Sequence, residues 1–314
     1  MQLLLLLTLP LLVFADWPHS KREIIPPFDF QGAIEKGLQE HLPSTPWRIT
    51  PWNGTLLPLE CNHMVDKYLV NISKIEVFQV KYDDCNQPWV MCRHKEAKTN
   101  ASTMAETFGK IPLSMREYVK NLLVLSPYKI MGAYSVNYND TITVADDSFF
   151  LYAIAQEMMH SIDAHFTVPN VTAENGTTSE SDIWKAFHEK SDAVVSDWST
   201  FTWQDNLAET SVISFYDAVV PGGVQAIQPN WTQVFPQYAL LQTLYRDILT
   251  PGIKTNCTRR LEDTLVLYNN FSAQHIPLPN FNDTEKISPN PLGNNTHWLI
   301  RYDWNGTETT YDGN

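Results

Sequence analysis

The apolar positions change rhythm near residue 147. Before it, short alternating runs dominate; after it, apolar residues return every three or four positions. FDFQGAIEKGLQEHL (28–42) predicts a short helix from about Asp29, ended by Pro43 and Pro46. Residues 44–60 hold Pro and Trp without a period and read as loop. ISKIEVFQVKYDD (72–84) alternates and predicts a strand. NQPWVMCRH (86–94) reads as a loop, and Leu113 to Leu125 as a helix. YKIMGAYSVNY and TITVA predict two strands joined by a turn at Asn139-Asp140.

Four helices are predicted beyond this point. They cover 148–165, about 180–200 with Ser181 or Asp182 as N-cap, about 204–219 ended by Pro221-Gly222-Gly223, and about 232–249. Residues 275–295 read as loop, and HWLIRYDW as a last strand. The expected class is α+β. Residues 29–314 form one domain, a β-containing part (29–146) followed by a mainly helical part (147–314).

The first fifteen residues, MQLLLLLTLPLLVFA, read as a secretory signal peptide cut after Ala15. Residues 16–28 form a tail. Its Lys21-Arg22 pair is read either as a maturation site or as ordinary surface charge. Asn-x-Ser/Thr acceptors occur at Asn53, Asn71, Asn100, Asn139, Asn170, Asn175, Asn230, Asn256, Asn270, Asn282, Asn294 and Asn305. Twelve acceptors among 22 asparagines exceed chance and point to a secreted glycoprotein. Four cysteines fit the same compartment. Their spacing favours Cys85–Cys92 and Cys61–Cys257 over the other two pairings. The net charge of −13 argues against nucleic acid and anionic membranes as partners.

The candidate chemistry lies in FFLYAIAQEMMHSIDAHF (149–166). On a helix, Gln156 and His160 share a face, with Glu157 beside them. A zinc hydrolase places His-Glu-x-x-His in this geometry, and here Gln156 stands where the first His would be. Glu-x-x-His alone is weak: Glu60-Cys61-Asn62-His63 repeats it in predicted loop or strand. A later helix carries Glu209, in DNLAE (205–209), as a third ligand. His165 and His188 are the candidate substitutes for the missing His. His165 lies about 140° round the helix from His160. The adjacent acids Asp146 and Asp147 read as a helix N-cap. Ten tryptophans are scattered along the chain, most of them expected in the core.

DDCNQPWVMCRH (83–94), TVADDSFFLYAIAQEMMHSIDAHF (143–166) and DNLAE resemble the zincin-like metallopeptidase clan. Within it, they resemble a family of secreted fungal proteins named after a conidiation-specific protein. The resemblance implies a zincin-like fold, Glu157 as a former general base, and His160 and Glu209 as former zinc ligands. Relatives place His where this chain has Gln156. An amide is a poor zinc ligand, so the expected cofactor is none or weakly bound zinc, with peptidase activity lost. Two alternatives stand beside this pseudo-enzyme. One is a metal-free binder of peptide or cell-wall glycan; the other is an active hydrolase with a substitute ligand.

Overall fold

In chain order the strands are β1 (Trp47–Pro51), β2 (Leu56–Pro58), β3 (Ile75–Tyr82), β4 (Trp89–His94), β5 (Asn121–Leu125), β6 (Ser135–Tyr138), β7 (Thr141–Ala145), β8 (Val266–Tyr268), β9 (Ala273–Gln274), β10 (Leu299–Tyr302) and β11 (Glu308–Tyr311). The helices are α1 (Glu35–His41), α2 (Leu59–Lys67), α3 (Ala101–Lys110), α4 (Leu113–Arg116), α5 (Leu151–His165), α6 (Asp182–Lys190), α7 (Trp203–Val219), α8 (Phe235–Leu244) and α9 (Arg246–Leu249). This computed structural model describes residues 21–52, 56–126, 135–169, 171, 173, 176–257, 261–262, 264, 266–268, 273–274, 299–302 and 308–311. The predicted leader, the tail through residue 20 and the 275–295 loop lie outside the described residues.

A six-stranded mixed sheet, in the order β1–β3–β4–β5–β7–β6, organises the α+β fold. β4, β5 and β7 run parallel; β1, β3 and β6 are antiparallel to their neighbours. β6 and β7 form a hairpin whose turn residues, Asn139 and Asp140, have φ of 48° and 65°. Asn and Asp tolerate this left-handed backbone better than other side chains, which is why the sequence announces the turn.

Successive strand residues face opposite sides of the sheet. Met91, Leu122, Val124, Ile142 and Val144 join one core with Ile154, Met158 and Ile162 of α5. Cys92, Leu123, Leu125 and Ala145 join a second core with Cys61, Met64 and Val65 of α2. Each fully buried Leu, Ile or Val contributes about 1.5–3 kcal/mol. The sheet is thus covered on both sides, and this double burial hides strands from periodicity. NLLVL of β5 is buried at all five positions and shows no alternation. The helix predicted for Leu113–Leu125 is therefore α4 followed by β5.

Other local readings change as well. The 44–60 stretch holds β1, β2 and the start of α2, and the second Glu-x-x-His lies on α2. The predicted 86–94 loop is largely β4. α6 stops at Lys190 rather than near residue 200, and the 232–249 helix breaks into α8 and α9 at Tyr245. Asp146 does not cap α5; its carboxylate accepts the backbone N–H groups of Lys98 and Thr99 at 2.7 and 2.8 Å.

The disulfides are Cys61–Cys92 and Cys85–Cys257, not the expected Cys85–Cys92 and Cys61–Cys257. Cys92 lies in β4 opposite Val77, whereas Cys85 lies past the end of β3, beyond Tyr82. Cys92 lies three strand steps beyond Trp89, about 10 Å from the turn side where Cys85 sits, which is longer than a disulfide can span. Cys92 instead faces α2, which delivers Cys61 at a Cα separation of 6.5 Å. Closeness in sequence was misleading because the residues between them are spent on a turn and an extended strand.

Candidate functional site

α5 begins without a local side-chain cap. Its first N–H groups are held from a distance: Glu35 of α1 accepts Leu151 N and Tyr152 N at 3.0 Å each. A carboxylate at a helix N-terminus satisfies orphan donors and complements the dipole. α5 then packs along α7 and beneath β6. Buried Met158 and Ile162 point to the sheet, while half-buried Gln156 and His160 remain accessible at the other side of the helix.

Glu157 is buried, and β6 supplies its partners. Ser135 Oγ donates to Glu157 Oε1 at 2.8 Å; Asn137 Nδ2 donates to the Glu157 carbonyl at 2.6 Å and to Ser161 Oγ at 2.7 Å. Residues 135 and 137 alternate along the strand, so both face α5. Burial pushes the Glu157 carboxyl up, and His160 and the Ser135 hydroxyl partly offset this.

α7 brings two acids to the same place. Thr202 caps this helix: its Oγ accepts Asp205 N at 2.9 Å and donates to Asp205 Oδ2 at 2.7 Å. That pairing leaves Asp205 Oδ1 turned to His160 Nε2, 3.7 Å away. One turn on, Glu209 is buried and accepts from Ser196 Oγ at 3.1 Å. Burial pushes the Glu209 carboxyl up to about 8, against the pull of Ser196, and Asp205, Glu157 and Glu23 add to the rise. At neutral pH Glu209 is therefore largely protonated.

The cluster thus comprises Glu157, His160, Asp205 and Glu209, with Gln156 on the α5 face that carries His160. Asp205 was missed as a site residue although DNLAE contains it. Its signal was the four-residue spacing from Glu209, which puts both acids on one face. Ser135, Asn137 and Ser196 carry no sequence signal; strand pairing and loop closure bring them in.

The other candidates sit elsewhere. His165 Nε2 lies 2.9 Å from Asp140 Oδ1 at the β6–β7 turn. His188 is buried edge-on against Trp203, with ring centroids 5.0 Å apart. Asp163 accepts Ser179 N at 3.1 Å and the Ser179 hydroxyl, anchoring the 177–181 loop to α5. The sequon asparagines 71, 100, 139, 230 and 256 are all exposed. Asn53, Asn170, Asn175, Asn270, Asn282, Asn294 and Asn305 lie outside the described residues.

Do these donors fit zinc? Zinc takes imidazole, thiolate or carboxylate, commonly from three protein side chains at a catalytic site. Gln156, on the His160 face, offers only an amide, and Glu209 is held by Ser196 and largely neutral. Among the described residues, no three His, Cys, Asp or Glu side chains converge as a metal-holding group. The residues present do not fit a catalytic zinc.

The protein is a mixed α+β protein whose outermost hairpin strand, β6, lies over a helix-borne acid cluster. The chain belongs to the Con-13 family: the family described as Conidiation-specific protein Con-13 matches residues 31–266, which include α5, α7 and every residue of the cluster. Conidiation-specific protein 13 of Neurospora crassa is 30% identical over 189 residues, covering 59% of this chain and 53% of that protein. The chain spans about half the length of this curated relative. No solved structure matches the chain.

Proposed function

We propose that this chain is a secreted, glycosylated, zincin-like protein whose metal site is degenerate and whose peptidase activity is lost. Gln156 carries the reading. It occupies the position one turn before His160, on the helix that also bears the buried Glu157 and packs against Asp205 and Glu209 of α7. Read as a former metallopeptidase centre, the cluster has an amide at the position where the first imidazole would stand. Glu157 is the vestigial general base, held by Ser135. Neither His165 nor His188 supports the substitute-ligand hydrolase, since one is paired with Asp140 and the other is packed against Trp203. The apolar leader and the many sequons support secretion. Among the described residues, no helix is long and apolar enough to cross a membrane.

A second reading, extracellular binding of peptide or cell-wall glycan, draws on one observation. Trp198 and Phe201 are 39% and 41% exposed, with ring centroids 5.1 Å apart. They sit on the turn between Ser196 and Thr202, the two residues that fix Glu209 and Asp205. Exposed aromatic faces suit sugar rings or apolar peptide side chains.

Zinc content, measured by mass spectrometry on purified secreted protein beside Gln156→His, tests the first reading. The expected result is an empty wild type and about one zinc per chain in the variant. Stoichiometric zinc in the wild type would overturn the loss of the site. Failure of both to bind would overturn its zincin-like origin.

A further inference from the structure

Eight large apolar side chains stand exposed among the described residues, and four of them crowd two glycan acceptors. Leu69, 81% exposed, and Ile72 flank Asn71. Ile25, 74% exposed, is tied to Asn230 through its backbone, and exposed Phe235 stands against Trp231, the next residue. There, Asn230 Nδ2 donates to the Ile25 carbonyl at 2.6 Å, and the Phe235 ring stands edge-on to Trp231, 5.3 Å between centroids. Trp231 is the middle residue of the Asn230-Trp231-Thr232 acceptor. Single exposed apolar residues are ordinary; pairs gathered round a sugar acceptor call for a reason.

We propose that N-linked glycans at Asn71 and Asn230 lie over these two apolar patches and shield them from water. This rests on the reading of the chain as a secreted glycoprotein. Attachment forms a bond from the asparagine Nδ2 to C1 of the first N-acetylglucosamine. It breaks the C1–O bond to a lipid-linked diphosphate donor; the diphosphate leaves with the electron pair and the displaced amide hydrogen leaves as a proton. The local geometry aims each sugar. Asn71 Oδ1 accepts Ser73 N at 3.0 Å, which fixes the side chain and leaves Nδ2 for the bond. A glycosylated amide keeps one N–H, so Asn230 can hold the Ile25 carbonyl and still carry its sugar next to residue 25. The C–H faces of the first sugars then cover apolar surface.

Site occupancy is read by peptide mass spectrometry on the secreted full chain. Ser73→Ala and Thr232→Ala remove the two acceptor signals while keeping both asparagines and their contacts. Each is expected to raise the fluorescence of an apolar-surface dye at least about two-fold and to lower the recovery of soluble protein after heating. Adding Leu69→Ser with Ile72→Ser to the first variant, or Ile25→Ser to the second, should reverse the rise. Occupied sites whose loss leaves dye binding unchanged would overturn the shield and leave the glycoprotein reading standing. Unoccupied Asn71 and Asn230 would overturn the shield and weaken that reading with it. The zinc result with Gln156→His is independent of both.

Discussion

His160 Nε2 on α5 and Asp205 Oδ1 on α7 stand 3.7 Å apart. The gap is long for a hydrogen bond and short enough for charge attraction. Asp205 is positioned for this by Thr202, while Glu209 one turn on is held by Ser196. The two acids therefore differ in availability. In a Gln156→His background, Asp205→Asn should cost more zinc affinity than Glu209→Gln, by about ten-fold or more. Titration with a competing chelator measures both. Equal losses, or a larger loss for Glu209→Gln, would show that Glu209 leaves Ser196 to bind metal.

Glu209 also sets a pH dependence. Its folded-state carboxyl titrates near 8 against an ordinary value of 4.5, chiefly because burial penalises the charge. A raised value means the folded state holds a proton that the unfolded state releases. The associated stability is complete below pH 4.5 and is lost as pH rises through 8. Glu209→Gln removes the titration and can still accept from Ser196. Wild type and variant should unfold alike near pH 4.5, and the variant should be more stable by a few kcal/mol, on the order of the linkage expected for such a shift, at pH 8. Urea unfolding at the two pH values reads the difference; a difference independent of pH would show that Glu209 is ionised in the fold.

The amphipathic elements were legible in the sequence, and the doubly buried ones were not. α5 and α7 declare themselves by three- and four-residue spacing, and the β6–β7 turn by Asn139-Asp140. β5 is apolar at nearly every position, so nothing in its rhythm separates strand from helix. The site divides in the same way. Gln156, Glu157 and His160 fall on neighbouring positions of one helix by local spacing, whereas Glu209, on another helix, was named from the resemblance. Asp205 could have been read by the same rule. The partners that tune these groups could not: Ser135 is held near Glu157 by pairing of β6 with β7, and Glu35 reaches α5 across more than a hundred residues. Such contacts are decided by how elements pack, which no short window of sequence contains.

The two disulfides close loops of very different length, 31 and 172 residues apart in sequence. In the chain-entropy picture they contribute about 4 and about 5 kcal/mol. Burial separates them more sharply. Cys61 and Cys92 are wholly inaccessible, whereas Cys257 is partly exposed. Mild reduction of the folded protein should release Cys85 and Cys257 first, with Cys61 and Cys92 freed only on unfolding. Alkylation followed by peptide mapping identifies the order. A fragment joining Cys85 to Cys92 in the unreduced protein would overturn the pairing itself.

Arg116, 1% exposed, is the buried cation on which the β3–β4 end of the sheet depends. Its guanidinium lies over the Tyr82 ring at 4.7 Å and the Trp89 ring at 5.3 Å, donates through Nε to the Ile111 carbonyl at 2.8 Å, and pairs with Asp84. Asp84 in turn accepts Cys257 N through its backbone carbonyl at 3.3 Å, beside the Cys85–Cys257 bridge. A compact ammonium cannot stack on two rings while serving a carbonyl and a carboxylate. Arg116→Lys should therefore destabilise by about 2–4 kcal/mol, and Asp84→Asn by a similar amount, because each leaves a buried group short of its partner. Replacing both together, Arg116→Lys with Asp84→Asn, removes the mutual dependence and should cost less than the sum of the two single changes. Chemical unfolding of the three variants measures the coupling. Strict additivity would mean that the aromatic rings, rather than Asp84, hold the arginine in place.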